Sequence, residues 1–345
     1  MTLLVPEEKR ANANGLVGTV QGIAFLVTSV FSGLSIGFLG MGWTLGIAIA
    51  AMALTFAHLL FIRIPEAEPE VDPEAKSAVD FRGSVQAIRQ APGLFALIVF
   101  STFNNLIGGV YMALMDPYGL TLFDAQMWGF ALAFASTGFL IGGGLVAKFG
   151  LGRKPVRTML LVVIAMGLLG AIFMLREWWP LYVLGMWVYM ALVPPVEAAE
   201  QTVIQKVVPF ARQGRVFGTA AAMEAAAAPI TAFLIAPIAE FLVIPYMDSA
   251  QGQRQWGWLL GEGEARGIAL ICLFAGLIMV VAASLAFFTR SYRTLTELYA
   301  TAPDPAPEEA QAQDSAVDDA EGAKDRPDTH RDAPPIVPGI PPESR

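Results

Sequence analysis

Eight apolar runs of about 20 residues or more constrain the fold of this chain more than any other feature. A helix rises about 1.5 Å per residue, so about 20 apolar residues cross the roughly 30 Å hydrocarbon core of a bilayer. The runs predict membrane-spanning helices over residues 13–39, 42–62, 92–115, 126–148, 157–175, 179–200, 215–244 and 266–289. None alternates apolar and polar residues as barrel strands do. Because lipid satisfies no backbone group, we expect an all-α, polytopic membrane helical bundle.

The composition also favours a membrane protein over a soluble enzyme. Charged residues make up 15% of the 345 residues, against about 25% in soluble proteins. Two histidines and one cysteine provide no metal cluster, and no nucleophilic triad or phosphate-binding loop is visible. There is no basic patch of the kind that binds nucleic acid. We therefore expect neither an enzyme nor a cofactor, a metal or a nucleic-acid partner.

Basic residues predict the orientation of the chain in the membrane. One set of connecting segments holds fifteen Lys and Arg residues and the opposite set holds three. Because positive charge is retained on the inner side, both termini are expected in the cytoplasm. The sequence thus predicts a multi-pass protein of the plasma (inner) membrane, in contact with the lipid bilayer.

A long charged linker divides the chain into unequal parts. Residues 1–62 hold two predicted helices, residues 63–91 form the linker, and residues 92–295 hold six helices. Within the linker, 79–90 has the pattern of a short amphipathic helix on the membrane surface. Residues 296–345 are acidic, rich in proline and expected to be a disordered cytoplasmic tail. Two helices before the linker and six after it indicate a partial half and a complete half of a two-half transporter.

Glu224 is the one charged residue between Arg215 and Glu240. It lies nine residues beyond Arg215, which places it about 13–14 Å deep, close to the bilayer midplane. Asn104, Asn105 and Gln21 lie at a similar depth on two other predicted helices. Intramembrane polar groups are costly, and transporters bind substrates and coupling ions near this level.

These four residues are therefore predicted to couple protons or to bind substrate, with Glu224 as the leading candidate for coupling. A purely structural role for Glu224, hydrogen-bonded to a neighbouring helix, stays open.

Glu197 and Glu200 are three residues apart and share one face of their helix near its predicted cytoplasmic end. One interpretation is a gate that forms salt bridges with Lys206, Arg212 or Arg215. The other is an ordinary solvated helix end.

The segment GGGLVAKFGLGRKPVR at 142–157 resembles the Gly-x-x-x-Asp-x-x-Gly-Arg-Lys loop of the major facilitator superfamily. Gly144, Gly152, Arg153 and Lys154 match in kind, while Lys148 stands where the aspartate is expected. Four further stretches resemble the drug-efflux branch of that superfamily, akin to macrolide-efflux and enterobactin-exporter proteins: 4–33, 207–218, 235–241 and 264–270.

The resemblance implies secondary active export of small amphipathic molecules, driven by the proton gradient without another cofactor. It implies a gating role for the cytoplasmic loop residues, and a cavity between two halves. It also implies twelve helices, of which the first four would be missing here. An alternative is therefore a truncated, non-transporting fragment or an accessory subunit that pairs with a missing N-terminal half. Import instead of export also stays open, because the sequence does not establish the direction of transport.

Overall fold

The computed structural model describes residues 7–61, 88, 91–261, 263 and 265–302. Helices are the regular elements of this part of the chain. In chain order they are α1 (Glu7–Leu39), α2 (Met41–Phe61), α3 (Leu94–Leu122), α4 (Ala125–Phe149), α5 (Pro155–Ile172), α6 (Trp179–Val207), α7 (Phe210–Ile238), a π-helical turn (Ala239–Val243), α8 (Ile244–Asp248), α9 (Ala250–Leu260), α10 (Arg266–Ala286) and α11 (Arg290–Thr301).

Eight helical segments in the described part are long and apolar enough to span a membrane, which confirms the predicted bundle. Several extend further than predicted, and among them α3 continues to Leu122 and α6 to Val207. The extensions contain polar residues, but Tyr118 of α3 and Val203 of α6 are fully buried. Packing against neighbouring helices therefore continues both helices beyond the point where hydropathy alone would end them.

The seventh span combines α7, the π-helical turn and α8 over Arg212–Asp248. Pro237 lies two residues before the π-helical turn. Proline has no N–H, and its ring clashes with the carbonyl four residues earlier. A π-helical turn, which is wider than an α-helical one, accommodates such a local break without ending the span.

Small residues bring α1 into close contact with α4 and α6. A Cβ atom on Gly15 would lie 2.8 Å from the Gly143 carbonyl oxygen, and one on Gly18 would lie 2.7 Å from Cβ of Pro194. Near the other end of α1, a Cβ on Gly33 would lie 3.2 Å from Cα of Gly129. Glycines on α1 and α4 therefore form helix contacts, as small residues do in other membrane bundles.

The tail is predicted to begin at residue 296, but helix α11 continues to Thr301. At its start, the Thr289 hydroxyl oxygen accepts a hydrogen bond from the Tyr292 N–H. The helix buries Leu295, which lies beside Gly93. The predicted surface helix over 79–90, apart from Ile88, lies outside the described residues, as do most of the linker and residues 303–345.

Candidate functional site

Three carboxyl side chains from α6 and α7 meet beside a polar face of α3. Glu200 is only 8% exposed, and its carboxyl lies close enough to the Glu224 carboxyl and the Ser101 hydroxyl to interact with both. Glu197 interacts electrostatically with both Glu200 and Glu224. We call Glu197, Glu200 and Glu224 the carboxyl cluster. The sequence alone gives no reason to group Glu224 with Glu197 and Glu200, whereas the structure brings all three together.

The carboxyl cluster lies toward the ends of the helices that the charge pattern assigns to the cytoplasm. Ser101 is seven residues from the start of α3 and Glu200 is seven residues from the end of α6, which is about 10 Å along each helix. Glu200 is buried at this depth, so the solvated helix end considered above does not describe it. Its helix position is close to the one predicted, but its environment is the bundle interior.

Oxygen atoms beside this cluster lack hydrogen-bond partners. In the described part of the chain, three buried side-chain oxygen atoms have none: Ser101 Oγ, Asn104 Oδ1 and Glu200 Oε1. Ser101 is 3% exposed. Buried polar atoms are nearly always satisfied, and an unsatisfied one costs about 1–3 kcal/mol. These oxygens are therefore costly to leave without partners in the bundle interior.

The other two predicted cavity residues lie outside this arrangement. Asn105 is exposed, and its Nδ2 donates to the Ser101 carbonyl at 3.1 Å within α3. Gln21 is exposed on α1, and its side chain makes no hydrogen bond to the described residues. Of the polar groups predicted at one level, Glu224 and Asn104 are half-buried, whereas Asn105 and Gln21 lie on exposed surfaces.

The loop between α4 and α5 contains two glycines with positive φ angles. Gly150 and Gly152 have φ angles of 67° and 72°, a left-handed region that suits glycine. Lys148 lies in the last turn of α4, with Nζ 5.2 Å from the centre of the Phe149 ring. The remaining loop candidates, Arg153 and Lys154, are exposed. Their gating role stays a prediction.

The basic candidates at the end of α6 and the start of α7 also lie near helix ends. Lys206 is in the last turn of α6, with Nζ 5.0 Å from the centre of the Tyr299 ring of α11. Arg212 is exposed and Arg215 is half-buried in the first turns of α7. A gating role for these residues likewise stays a prediction.

Sequence reasoning missed a buried pair of amide side chains that joins α1 to α6. Asn14 Nδ2 donates to Gln205 Oε1 at 3.2 Å and to Thr202 Oγ1 at 3.3 Å. Gln205 Nε2 donates back to Asn14 Oδ1 at 3.4 Å. Asn14 and Gln205 are 4% and 7% exposed. We call this group the amide clasp; each residue alone looks like an ordinary polar residue at a helix end.

A second missed group lies at the opposite end of the bundle. Arg266 is one of the three basic residues in the opposite set of connecting segments, yet it is 1% exposed. Its Nη2 lies 2.7 Å from Glu177 Oε1, and Nη1 donates to the carbonyls of Leu175 and Leu260. We call this group the outer latch, because it ties the α5–α6 connection to the start of α10.

Comparison with known proteins identifies the family. A family model described as Major Facilitator Superfamily matches residues 1–232. No match was found among curated proteins or among solved structures. The matched segment is more than half of the chain and includes the whole carboxyl cluster. The chain is therefore a multi-pass membrane protein that belongs to the major facilitator superfamily, a family of transporters.

Proposed function

We propose that this chain exports small amphipathic molecules across the plasma membrane in exchange for protons, with both termini in the cytoplasm. Family membership supports a transporter. The observation that carries the coupling proposal is the carboxyl cluster, in which Glu224 lies beside the almost fully buried Glu200. Ionisable groups inside a membrane bundle are expensive, and they mark ion or substrate pathways.

The chemistry follows from the closeness of the carboxyls. Two adjacent carboxyl groups in a poorly solvated site cannot both be charged at low cost, so the pair holds a proton as one unit. Glu224 is half-buried and Glu200 is buried. In this proposal Glu224 exchanges the proton with water or substrate, while Glu200 retains it within the bundle.

Prolines near the cluster provide a way to convert protonation into movement. Pro194 and Pro195 lie in α6, six and five residues before Glu200. Pro229 lies five residues beyond Glu224 in α7. Each proline removes a hydrogen bond from its helix and makes bending easier. A change in charge between α6 and α7 would therefore act on helices that bend close to the site.

Drug accumulation in cells that lack their main efflux pumps tests this proposal. Cells producing the chain are expected to accumulate less of some dyes or antibiotics in a panel, and a protonophore should abolish the difference. Glu224→Gln is expected to remove the protonophore-sensitive part. Glu240→Gln, which neutralises an exposed acid in the π-helical turn, is the matched control and should retain it. Unchanged protonophore-sensitive export in Glu224→Gln would refute the coupling role.

A second candidate function is that of an accessory subunit which does not transport alone. The observation that favours it is α2, which buries none of its residues although it is apolar along its length. Such a helix has its faces available for contact with lipid or with further protein. Purified chain in proteoliposomes decides between the two: flux driven by a proton gradient supports a transporter, and flux only after adding a partner supports the subunit. The sign of the flux relative to the gradient also distinguishes export from import.

A further inference from the structure

An apolar cleft lies between α3, the seventh span and α10, in the half of the bundle that holds the outer latch. Its volume is about 380 Å³, whereas a packed protein interior leaves few voids larger than one water molecule. The described residues that line it are aliphatic or aromatic, and the Tyr246 hydroxyl is the polar side-chain group among them. Its lining includes Val110 of α3, Leu242 and Val243 of the π-helical turn, and Phe274, Ala275 and Ile278 of α10.

The geometry of two helices accounts for this unfilled space. Leu242 and Val243 belong to the π-helical turn, which follows Pro237 and is wider than an α-helical turn. Ala275 lines the cleft from α10 and contributes only a methyl group. A widened turn on one wall therefore faces a wall that carries a small side chain.

The cleft opens toward the lipid. Leu242 and Ile278 line it and yet are 65% and 50% exposed, so they lie at its mouth. Ile278 belongs to an exposed apolar face of α10 that continues through Val281 and Leu285. An exposed apolar face on a membrane-spanning helix contacts hydrocarbon. The acyl chains of the bilayer therefore have direct access to the cleft.

Polar and aromatic groups mark one end of the cleft. The Tyr246 hydroxyl donates to Gln255 Oε1 of α9. The ring of Trp256, also in α9, packs edge-on against the Phe274 ring with 5.5 Å between the ring centres. Tyrosine and tryptophan are enriched at the interface between membrane and water. The cleft therefore runs from the interface into the hydrocarbon region.

The dimensions of the cleft match a single chain of atoms better than a helix. On α10 it extends from Leu270 to Ile278, about 12 Å, which is most of the roughly 15 Å of hydrocarbon in one leaflet. A volume of about 380 Å³ over that length gives a cross-section of about 30 Å². An α-helix with its side chains is about 10–12 Å across, which is more than twice that area. A helix of another chain is therefore too wide to occupy the cleft.

We propose that this cleft binds one acyl chain of a phospholipid, with the headgroup at the end marked by Tyr246, Gln255 and Trp256. Water gains little in the cleft, since apolar walls accept and donate no hydrogen bonds. An empty cleft loses the dispersion contacts of its walls, and a flexible hydrocarbon chain restores them. The inference goes beyond the proposed function, because the carboxyl cluster is not among the described residues that line the cleft.

Photolabelling of the purified full chain tests the site. The chain is placed in vesicles of phosphatidylethanolamine and phosphatidylglycerol that contain a trace of phospholipid with a diazirine in one acyl chain. After illumination we expect several-fold more label on Phe274 and Ile278 than on Leu161 and Leu168, which are similarly exposed on α5. Equal labelling of the two pairs would show ordinary contact with bulk lipid and overturn the proposal. Labelling of the α5 pair alone would show that the cleft is closed or covered by protein, and would also overturn it.

Filling the cleft provides a second test. Ala275→Phe and Val110→Phe add a ring to the cleft from two different helices, and we call them the filled variants. Each should lower the label on Phe274 and Ile278 to the level found on α5. Val281→Phe is the matched control, because it makes the same change as Val110→Phe on the lipid-facing side of α10, outside the cleft. Unchanged labelling in both filled variants would contradict the proposal.

Thermal unfolding distinguishes a filled cleft from a misfolded chain. Phospholipid added to the lipid-depleted wild-type chain in detergent should raise its Tm, since a ligand that binds the folded state stabilises it. The filled variants should unfold in a normal transition but lose this rise, whereas Val281→Phe should keep it. An equal rise in all three variants would overturn the proposal. If neither filled variant folds, the labelling ratio in the wild-type chain decides alone.

Discussion

Removing Glu177 tests the outer latch, because the Arg266 charge would then stay buried without its partner. The Arg266 side chain is 2% exposed, while that of Glu177 is 34% exposed. The two are joined by Nη2 at 2.7 Å and by Nε, which donates to the same carboxylate oxygen at 3.1 Å. In Glu177→Ala, the guanidinium keeps only the carbonyls of Leu175 and Leu260.

The expected loss of stability follows from this geometry. Removing one partner of a buried ion pair costs about 3–5 kcal/mol. The exposure of Glu177 lets water reach its side of the pair, which lowers the expected cost to about 2–3 kcal/mol. The double variant Glu177→Ala/Arg266→Met removes the buried charge as well. It is expected to be no less stable than Glu177→Ala alone, since the uncompensated charge is then gone.

The single cysteine provides the assay. Cys272 is fully buried in α10, six residues beyond Arg266, so a thiol-reactive dye reports when this region unfolds on heating. Glu177→Ala is expected to lower the Tm by about 3–5 °C. Glu240→Ala, which removes an exposed acid, serves as the control. The reasoning is refuted if Glu177→Ala has the same Tm as Glu240→Ala. It is also refuted if the double variant loses as much stability as Glu177→Ala and Arg266→Met lose together.

Three further predictions use the same thermal assay. Asn14→Leu leaves the buried Gln205 amide unpaired and is expected to lower the free energy of unfolding by about 1–3 kcal/mol. The double variant Asn14→Leu/Gln205→Leu should restore part of this loss. A double variant less stable than Asn14→Leu would contradict the prediction. Gly142→Leu drives its Cβ into a backbone carbonyl of α6 and should give little folded protein, whereas Gly144→Leu, with no atom within 4 Å of its Cβ, should fold. Tyr118→Phe removes hydrogen bonds of 3.2 and 3.0 Å to two carbonyls near the α5–α6 connection and should cost about 1–2 kcal/mol, while an unchanged Tm would show that those bonds add no stability.

Most of the fold was predictable because a membrane span is a local property of the sequence. The number of spans follows from runs of apolar residues, each of which leaves water largely independently of the others. Helix ends were less predictable. Helix α3 continues past its apolar run because the Tyr182 hydroxyl of α6 donates to the Met115 carbonyl and Tyr118 packs against Tyr182. Neither contact is visible from hydropathy.

The candidate site was predictable only one residue at a time. Glu224 is visible as a lone acid among apolar residues, and Glu197 and Glu200 are visible as a pair on one helix face. Nothing in the local pattern indicates that Glu200 is buried beside Glu224, or that Ser101 of α3 lies next to Glu200. Counting residues along a helix gives the depth of a side chain within that helix. It does not show how far the helix is shifted along its axis relative to its neighbours.

From the amino-acid sequence alone follow the helical membrane class of this chain, the number of its apolar segments, and the polar residues inside them. Which of those polar residues meet depends on the packing of the helices. The physical reason is that transfer into lipid depends on the composition of one segment, whereas the meeting of two side chains depends on the rotation and shift of two helices. Many small contacts set these, such as Gly15 against Gly143 and Gly18 against Pro194, and they act between residues far apart in the chain.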